Sequence, residues 1–402
     1  MWLYLILLVL FNCVVSKHHR KYEYSDSESK ERRYTGDLIY LQIMTTNGFH
    51  APLELYPTDK NLKTAWFEGL KKLTMLGKLQ MFQLGKVLRK RYDDFITTDP
   101  KEVEIYTSAE DRAISSALCL LATLYSPTKE WRFAPHFNWQ PLPVTFIDGY
   151  YDKYFGYSPI CPKLGKQIRK ILKSDAAKQY IAQDEFLYSY WSNHSGMELN
   201  NWNDVARLYD VVNREEKCDL YVPSWAKAYW KEMERIASAA YKFNFDTKFS
   251  IKAKVGPLID LMVDRMRAKT MEDDPNPDVK LHVYVTHDWN MASFLMSLFR
   301  FNGIIPPPAA TVTLELYRYF DTYTVRMLYF NSSTPELGVQ EPNVLTIRGC
   351  AEYCPLAYVA NYFHDYMPKD WYKVCGLKLK REEEDENESG RPFSLSDNKA
   401  KA

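Results

Sequence analysis

The sequence has no surplus of either charge: 52 lysines and arginines stand against 51 aspartates and glutamates. A nucleic-acid-binding surface normally appears as a basic excess, so this balance argues against a nucleic-acid partner. The sequence also lacks an internal repeat, a glycine-rich phosphate loop and any spacing of side chains suited to a metal. Neither a metal nor a cofactor is therefore expected. Beyond the first fifteen residues there is no apolar run near the ~20 residues that a bilayer-spanning helix needs.

Those first fifteen residues, MWLYLILLVLFNCVV, are almost wholly apolar and are followed by Ser16 and then Lys17, His18, His19 and Arg20. Residues 1–16 read as a secretory signal peptide, although no positive charge opens it. The alternative, an uncleaved anchor, is disfavoured by its length. The expected mature chain is soluble, secreted to the extracellular space and without a membrane anchor. With 402 residues, 46% of them hydrophobic, it can bury a large core in one big domain or two smaller ones. An aromatic content of 15%, with 30 tyrosines, argues against global disorder. Of seven cysteines, Cys13 leaves with the signal peptide, and export makes disulfides the default for the rest. Sequons at Asn193, Asn331 and Asn387 are expected to be surface glycosylation sites.

Along the chain, residues 17–36 are charged and Ser-rich and read as a flexible leader. The run LIYLQIM (38–44) suits a buried strand entering a loop. Residues 64–92 carry apolar side chains at helical spacing and end in Arg89, Lys90 and Arg91, which complement a helix C-terminus. VEIYTSA (103–109) reads as a second strand, and the helix after it stops at Pro127. Strand–helix alternation implies a parallel sheet with covering helices. Residues 145–255 read as a smaller helical cap inserted into an α/β core made of 37–144 and 256–376. In the second part of that core, LHVYVTHD (281–288) repeats the pattern of apolar strand and polar loop. Two alternating strands within 311–331, joined at Asp321, read as a hairpin at a sheet edge. The expected fold class is thus α/β: a mixed, mostly parallel sheet flanked by helices on both faces, with a helical cap. Residues 377–402 form a charged tail that can bury little and is expected to be disordered.

Three segments in order, NGFHAP (47–52) after a strand, EDR (110–112) before a helix, and THD (286–288) at a strand end, resemble the histidine acid phosphatases. The animal secreted and prostatic-type branch fits best. YPTD (56–59), LTMLGKLQ (73–80), LGKVLRKRY (84–92), WQPLPV (139–144), VPSWA (222–226) and GCAEYCPL (349–356) extend the resemblance over residues 37–376. It implies a phosphomonoester hydrolase working at acidic pH, with a first motif of the form R-H-G-x-R-x-P. In that pattern a histidine attacks phosphorus, three arginines and a second histidine hold the phosphate oxygens, and an aspartate protonates the leaving alcohol. Such an anionic transition state needs fixed positive donors, a nucleophile and an acid.

Carried over residue by residue, the third arginine is Arg112, the second histidine His287 and the proton donor Asp288. In the first motif, Thr46 stands for the first arginine, Asn47 for the nucleophile and His50 for the second arginine, while Gly48, Ala51 and Pro52 match. Asn47 reads either as a polar placeholder or as a residue orienting a water. His50 reads as a relocated nucleophile, as a cation at low pH, or as an ordinary pocket histidine. Arg112 has the alternative of a helix-surface arginine paired with Glu110 or Asp111, and Asp288 that of a helix N-cap. The resemblance further implies the bridges Cys350–Cys354 and Cys161–Cys375, and it suggests a homodimer. Cys218 occupies a bridged position whose partner position reads Thr311, which leaves Cys218 free, paired with Cys119, or paired with another chain. Cys119 otherwise reads as a buried apolar-face thiol. The leading expectation is a catalytically impaired acid phosphatase homologue with a phosphate or phosphomonoester ligand. An active phosphatase with altered chemistry and a non-catalytic anion-binding or interaction protein are the alternatives.

Overall fold

A computed structural model describes residues 36–128, 130–147, 152–155 and 161–377. The signal-peptide reading, the leader and the tail lie outside these residues, apart from Gly36 and Leu377, as does Asn387.

The run LIYLQIM forms the inner part of β1 (Asp37–Thr46). Successive strand side chains alternate between faces, and here both faces are covered. Leu41 and Ile43 enter one apolar cluster with Leu84 and Leu120, while Tyr40 and Met44 enter another with Met262 and Phe294. Burial on both faces explains a run that is apolar on both sides in place of an alternating one, broken only by Gln42, whose amide bonds the Met262 carbonyl and the Tyr284 hydroxyl.

The remaining strands are β2 (Val103–Ser108), β3 (Thr145–Ile147), β4 (Leu281–Thr286), β5 (Thr311–Tyr319), β6 (Thr322–Phe330), β7 (Asn343–Leu345) and β8 (Cys354–Pro355). Their order is β3-β2-β4-β1-β5-β6-β7, with β8 also on β6. The four strands β3, β2, β4 and β1 run parallel, and β5 begins an antiparallel half. The β5–β6 hairpin is therefore not at the sheet edge: β1 flanks it on one side and the short β7 and β8 on the other.

The described helices are α1 (Met75–Arg91), α2 (Asp111–Leu124), α3 (Pro162–Leu172), α4 (Asp175–Ala182), α5 (Glu185–Ser195), α6 (Trp202–Lys217), α7 (Ser224–Ala228), α8 (Trp230–Phe245), α9 (Lys248–Lys254), α10 (Gly256–Ala268), α11 (Asp288–Ser297), α12 (Leu356–Phe363) and α13 (Trp371–Cys375). α1 is shorter than the helical spacing over 64–92 suggests. Gly69 and Lys71 both adopt positive φ, and Thr74 caps the helix by accepting the Gly77 N–H, so the helix begins only at Met75. α1 and α2 cover the Leu41 face of the sheet, and α10 and α11 cover the Tyr40 face. Between β3 and β4, Trp191, Trp202, Leu208, Ile236 and Ala240 from α5, α6 and α8 close a separate apolar cluster.

Cys161–Cys375 joins the start of α3 to the end of α13, and Cys350–Cys354 closes a tight loop beside β8. Cys119 is a free thiol, half-buried against the α1–α2 cluster, so it does not pair with Cys218. Cys218 is itself disulfide-bonded, which overturns the reading of it as a free thiol. Asn193 and Asn331 are both exposed. Among the described residues no helix is long and apolar enough to cross a membrane.

Candidate active site

Parallel pairing brings three strand ends together. Thr46 lies opposite Thr286 on β4, and β2 runs beside β4 through Thr107 and Val285. The next residues therefore leave the sheet side by side: Asn47 to Pro52 after β1, Ala109 to Arg112 after β2, and His287 with Asp288 after β4. Crevices outside the carboxyl ends of strands are where open α/β sheets bind ligands. Here they open into a cleft of about 1480 Å³. The glycines seat the first loop. A Cβ on Gly48 would collide with the Gly77 carbonyl, and one on Gly77 with the Phe49 backbone, so the loop lies directly on the first turn of α1.

Asn47 is buried and tied down. Its Oδ1 is 3.0 Å from His287 Nδ1, and its Nδ2 donates to the Gly48 carbonyl at 2.9 Å. An amide oxygen only accepts, so His287 Nδ1 carries the proton. His287 Nε2 faces the Ser108 hydroxyl at 3.1 Å and Glu110 Oε2 at 3.4 Å. Burial lowers the His287 pKa, with Arg112 adding to the effect and Glu110 opposing it. Thr46 is also buried, and its hydroxyl donates to the Pro307 carbonyl at 3.1 Å.

His50 does not carry the charge that its position suggested. Its Nδ1 lies 2.8 Å from the Ala51 carbonyl and its Nε2 lies 3.1 Å from Arg214 Nη2. Arginine can only donate, so Nε2 is the acceptor and the imidazole is neutral. Burial holds its pKa well below the ordinary histidine value, and the charges of Arg214 and Arg112 lower it further. The lone pair that a relocated nucleophile would use is thus already engaged.

Arg112 is 5% exposed and lines the cleft, with Glu110 Oε1 3.9 Å from its Nη2. It is not a helix-surface residue, and Asp111 pairs with Lys72 instead. Asp288 is the first residue of α11, with His287 in the N-cap position. Its Oδ2 accepts the Tyr241 hydroxyl at 2.7 Å and its Oδ1 accepts the Trp289 N–H at 2.7 Å. Tyr241, on α8, stacks on Trp289 with ring centroids 3.8 Å apart. Behind the site lies Lys254, 3% exposed, whose pKa burial lowers to about 8 against the pull of Asp288, Asp152 and Glu110.

The strand ends thus gather all six residues singled out in the sequence. Arg214 and Tyr241 join them without having been anticipated. Both lie on helices between β3 and β4, and neither belongs to a motif. Asp210 and Arg214, four apart, read as an ordinary surface ion pair on a polar helix.

A mixed-sheet α/β fold thus gathers buried basic and acidic side chains around a cleft at the ends of its parallel strands. The family model described as histidine phosphatase superfamily (branch 2) matches residues 17–330, and the chain belongs to that family. It is 28% identical to a prostatic acid phosphatase of Bos taurus over 361 residues, covering 87% of this chain and 90% of that one. It is likewise 28% identical to a lysosomal acid phosphatase of Bos taurus, covering 85% and 80%. Among solved structures, a Hafnia alvei phytase in complex with myo-inositol hexakis sulphate superposes with a TM-score of 0.63 at 14% identity, covering 85% of this chain and 99% of that one. A Citrobacter braakii phytase gives 0.62 at 15%, covering 84% and 99%. At these identities the likeness to the phytases bears on the fold.

Proposed function

We propose that this chain is an exported acid phosphatase homologue that binds phosphate or a phosphomonoester in the cleft but has lost the covalent route of hydrolysis. The observation that carries this reading is the Asn47–His287 contact. At the end of β1, where a histidine would attack phosphorus, an amide is held between His287 Nδ1 and the Gly48 carbonyl. An amide nitrogen is delocalised and is no nucleophile. The other cations of the loop are gone as well, since Thr46 is neutral by nature and His50 by its surroundings. Each lost charge-assisted contact to phosphate costs about 1.5–3 kcal/mol. Arg112, His287 and Asp288 stay gathered around the same cleft. They favour retained anion binding over a pocket kept for shape alone.

Export is supported by the largely apolar segment 1–16 and by disulfides such as Cys161–Cys375 and Cys350–Cys354, which persist in oxidising compartments. The test is hydrolysis of p-nitrophenyl phosphate by the purified secreted protein between about pH 4 and pH 7, with thermal protection by phosphate or vanadate measured on the same sample. Protection that Arg112→Ala removes, without turnover, is the expected result. Turnover that Asp288→Asn abolishes would instead establish hydrolysis by altered chemistry, with the placed Asp288 carboxyl as its acid.

A further inference from the structure

The loop after β1 contributes no fixed positive charge to the cleft. Thr46 offers a hydroxyl that is spent on Pro307, and His50 is a neutral imidazole. At the strand ends Arg112 alone supplies a guanidinium. A second guanidinium arrives from far along the chain. Arg214, 164 residues beyond His50, projects from α6 into the same cleft with 12% of its side chain exposed. Its Nη1 donates to the His50 carbonyl at 2.8 Å and its Nη2 to His50 Nε2 at 3.1 Å. Its Nε donates to Asp210 Oδ1 at 2.8 Å, Nη2 lies 2.6 Å from the same oxygen, and the group sits 5.4 Å above the Phe49 ring. These contacts use four of the five N–H groups of a guanidinium and leave one Nη1 hydrogen for a ligand.

We propose that Arg214 is an anion-binding residue of this cleft, acting with Arg112 on the phosphate group of a phosphomonoester or on free phosphate. This rests on the anion-binding reading above. Arg214 takes over the charge that the His50 position lacks, and it does so from a helix of the insertion. The His50 imidazole, the Asp210 carboxylate and the Phe49 ring fix its fork before any ligand arrives. A guanidinium held in this way loses little freedom on binding and is suited to planar recognition of phosphate oxygens.

The test is calorimetric titration of the full secreted chain with inorganic phosphate and, separately, with phenylphosphonate, a monoester analogue that cannot be hydrolysed. Tighter binding of phenylphosphonate assigns the site to esters, and equal affinities assign it to free phosphate. Arg214→Gln is expected to weaken phosphate binding about 10- to 100-fold. A purely structural strut would not be replaced from another position, so His50→Arg added to Arg214→Gln is expected to regain most of the affinity. A folded Arg214→Gln protein that binds as tightly as wild type, while Arg112→Ala does not bind, overturns the role of Arg214 and leaves the anion-binding reading standing. A wild-type chain that binds neither probe overturns both. If Arg214→Gln does not fold, Arg214→Lys keeps the charge and loses the fork. Several-fold weaker binding at unchanged melting temperature then supports the proposal, and an unchanged Kd contradicts it.

Discussion

Asn47 Oδ1 lies 3.0 Å from His287 Nδ1 and fixes the proton of that imidazole on the side facing β1. Replacing Asn47 with aspartate would turn this contact into a charge-assisted bond. The imidazolium of His287 would then be stabilised, and its pKa is expected to rise from its present lowered position. NMR titration of the His287 ring in wild type and Asn47→Asp checks this. A titration curve that does not move would mean that burial alone controls the ring.

On the proposed reading the damage lies in the loop after β1, so substitutions there should reverse it. Thr46→Arg, Asn47→His and His50→Arg together are expected to restore measurable hydrolysis of p-nitrophenyl phosphate. Arg214 occupies the space beside His50, so adding Arg214→Gln to the triple variant is expected to raise the activity further. A folded triple variant with no activity would show that the loss extends beyond this loop.

Glu215, fully buried on α6, accepts from Asn61 Nδ2 at 2.8 Å and faces the carboxyl of Asp59. Burial, the largest influence, raises its pKa well above the usual carboxylate range, and burial likewise raises Asp152 to about 7. A folded-state pKa raised above the unfolded one means that the folded chain keeps a proton the unfolded chain releases. Stability is then greatest at low pH and declines as pH rises through the folded values. The lowered pKa values of His50 and His287 act oppositely, but only below the ordinary histidine range. From about pH 7 to pH 8 the carboxyls therefore prevail, with a slope of up to about 1.4 kcal/mol per pH unit for each proton lost, while above about pH 8 the lowered pKa of Lys254 opposes them. Thermal melting over this range should show a falling midpoint, and Glu215→Gln should flatten it. A flat wild-type profile would contradict the assignment.

The bridge Cys161–Cys375 spans 214 residues and ties α3 to α13. Its removal by Cys375→Ser is expected to cost about 2–5 kcal/mol, chiefly by freeing the unfolded chain. Denaturant unfolding of the two proteins measures the difference.

Gly48→Ala places a methyl group against the Gly77 carbonyl, and backbone cannot yield as a flexible side chain does. The loop carrying Asn47 and His50 must then lift from α1. Loss of phosphate binding together with a lower melting temperature is expected.

The strands that build the site were legible because double-sided burial leaves largely apolar runs, as in Tyr40–Met44 and Leu281–Val285, each with a single polar residue, Gln42 or His282. Helix periodicity misjudged the start of α1, since positive φ at Gly69 and Lys71 is a local backbone choice that apolar spacing does not record. The hairpin was placed at the sheet edge because β7 and β8, of three and two residues, are too short to show a pattern. Thr46, Asn47, His50, Arg112, His287 and Asp288 were legible through local motifs. Arg214 and Tyr241 were not, because only the packing of α6 and α8 over the strand ends brings them to the site. The sequence left the role of His50 open between nucleophile, cation and ordinary pocket histidine for the same reason, since its charge state depends on Arg214.

The most direct test of the central claim joins turnover and binding on one sample of the secreted chain. The account predicts that phosphate raises the melting temperature, that Arg112→Ala removes this protection, and that p-nitrophenyl phosphate is not hydrolysed at any acidic pH above the level of the Asp288→Asn variant. Wild-type turnover well above that of Asp288→Asn would contradict it.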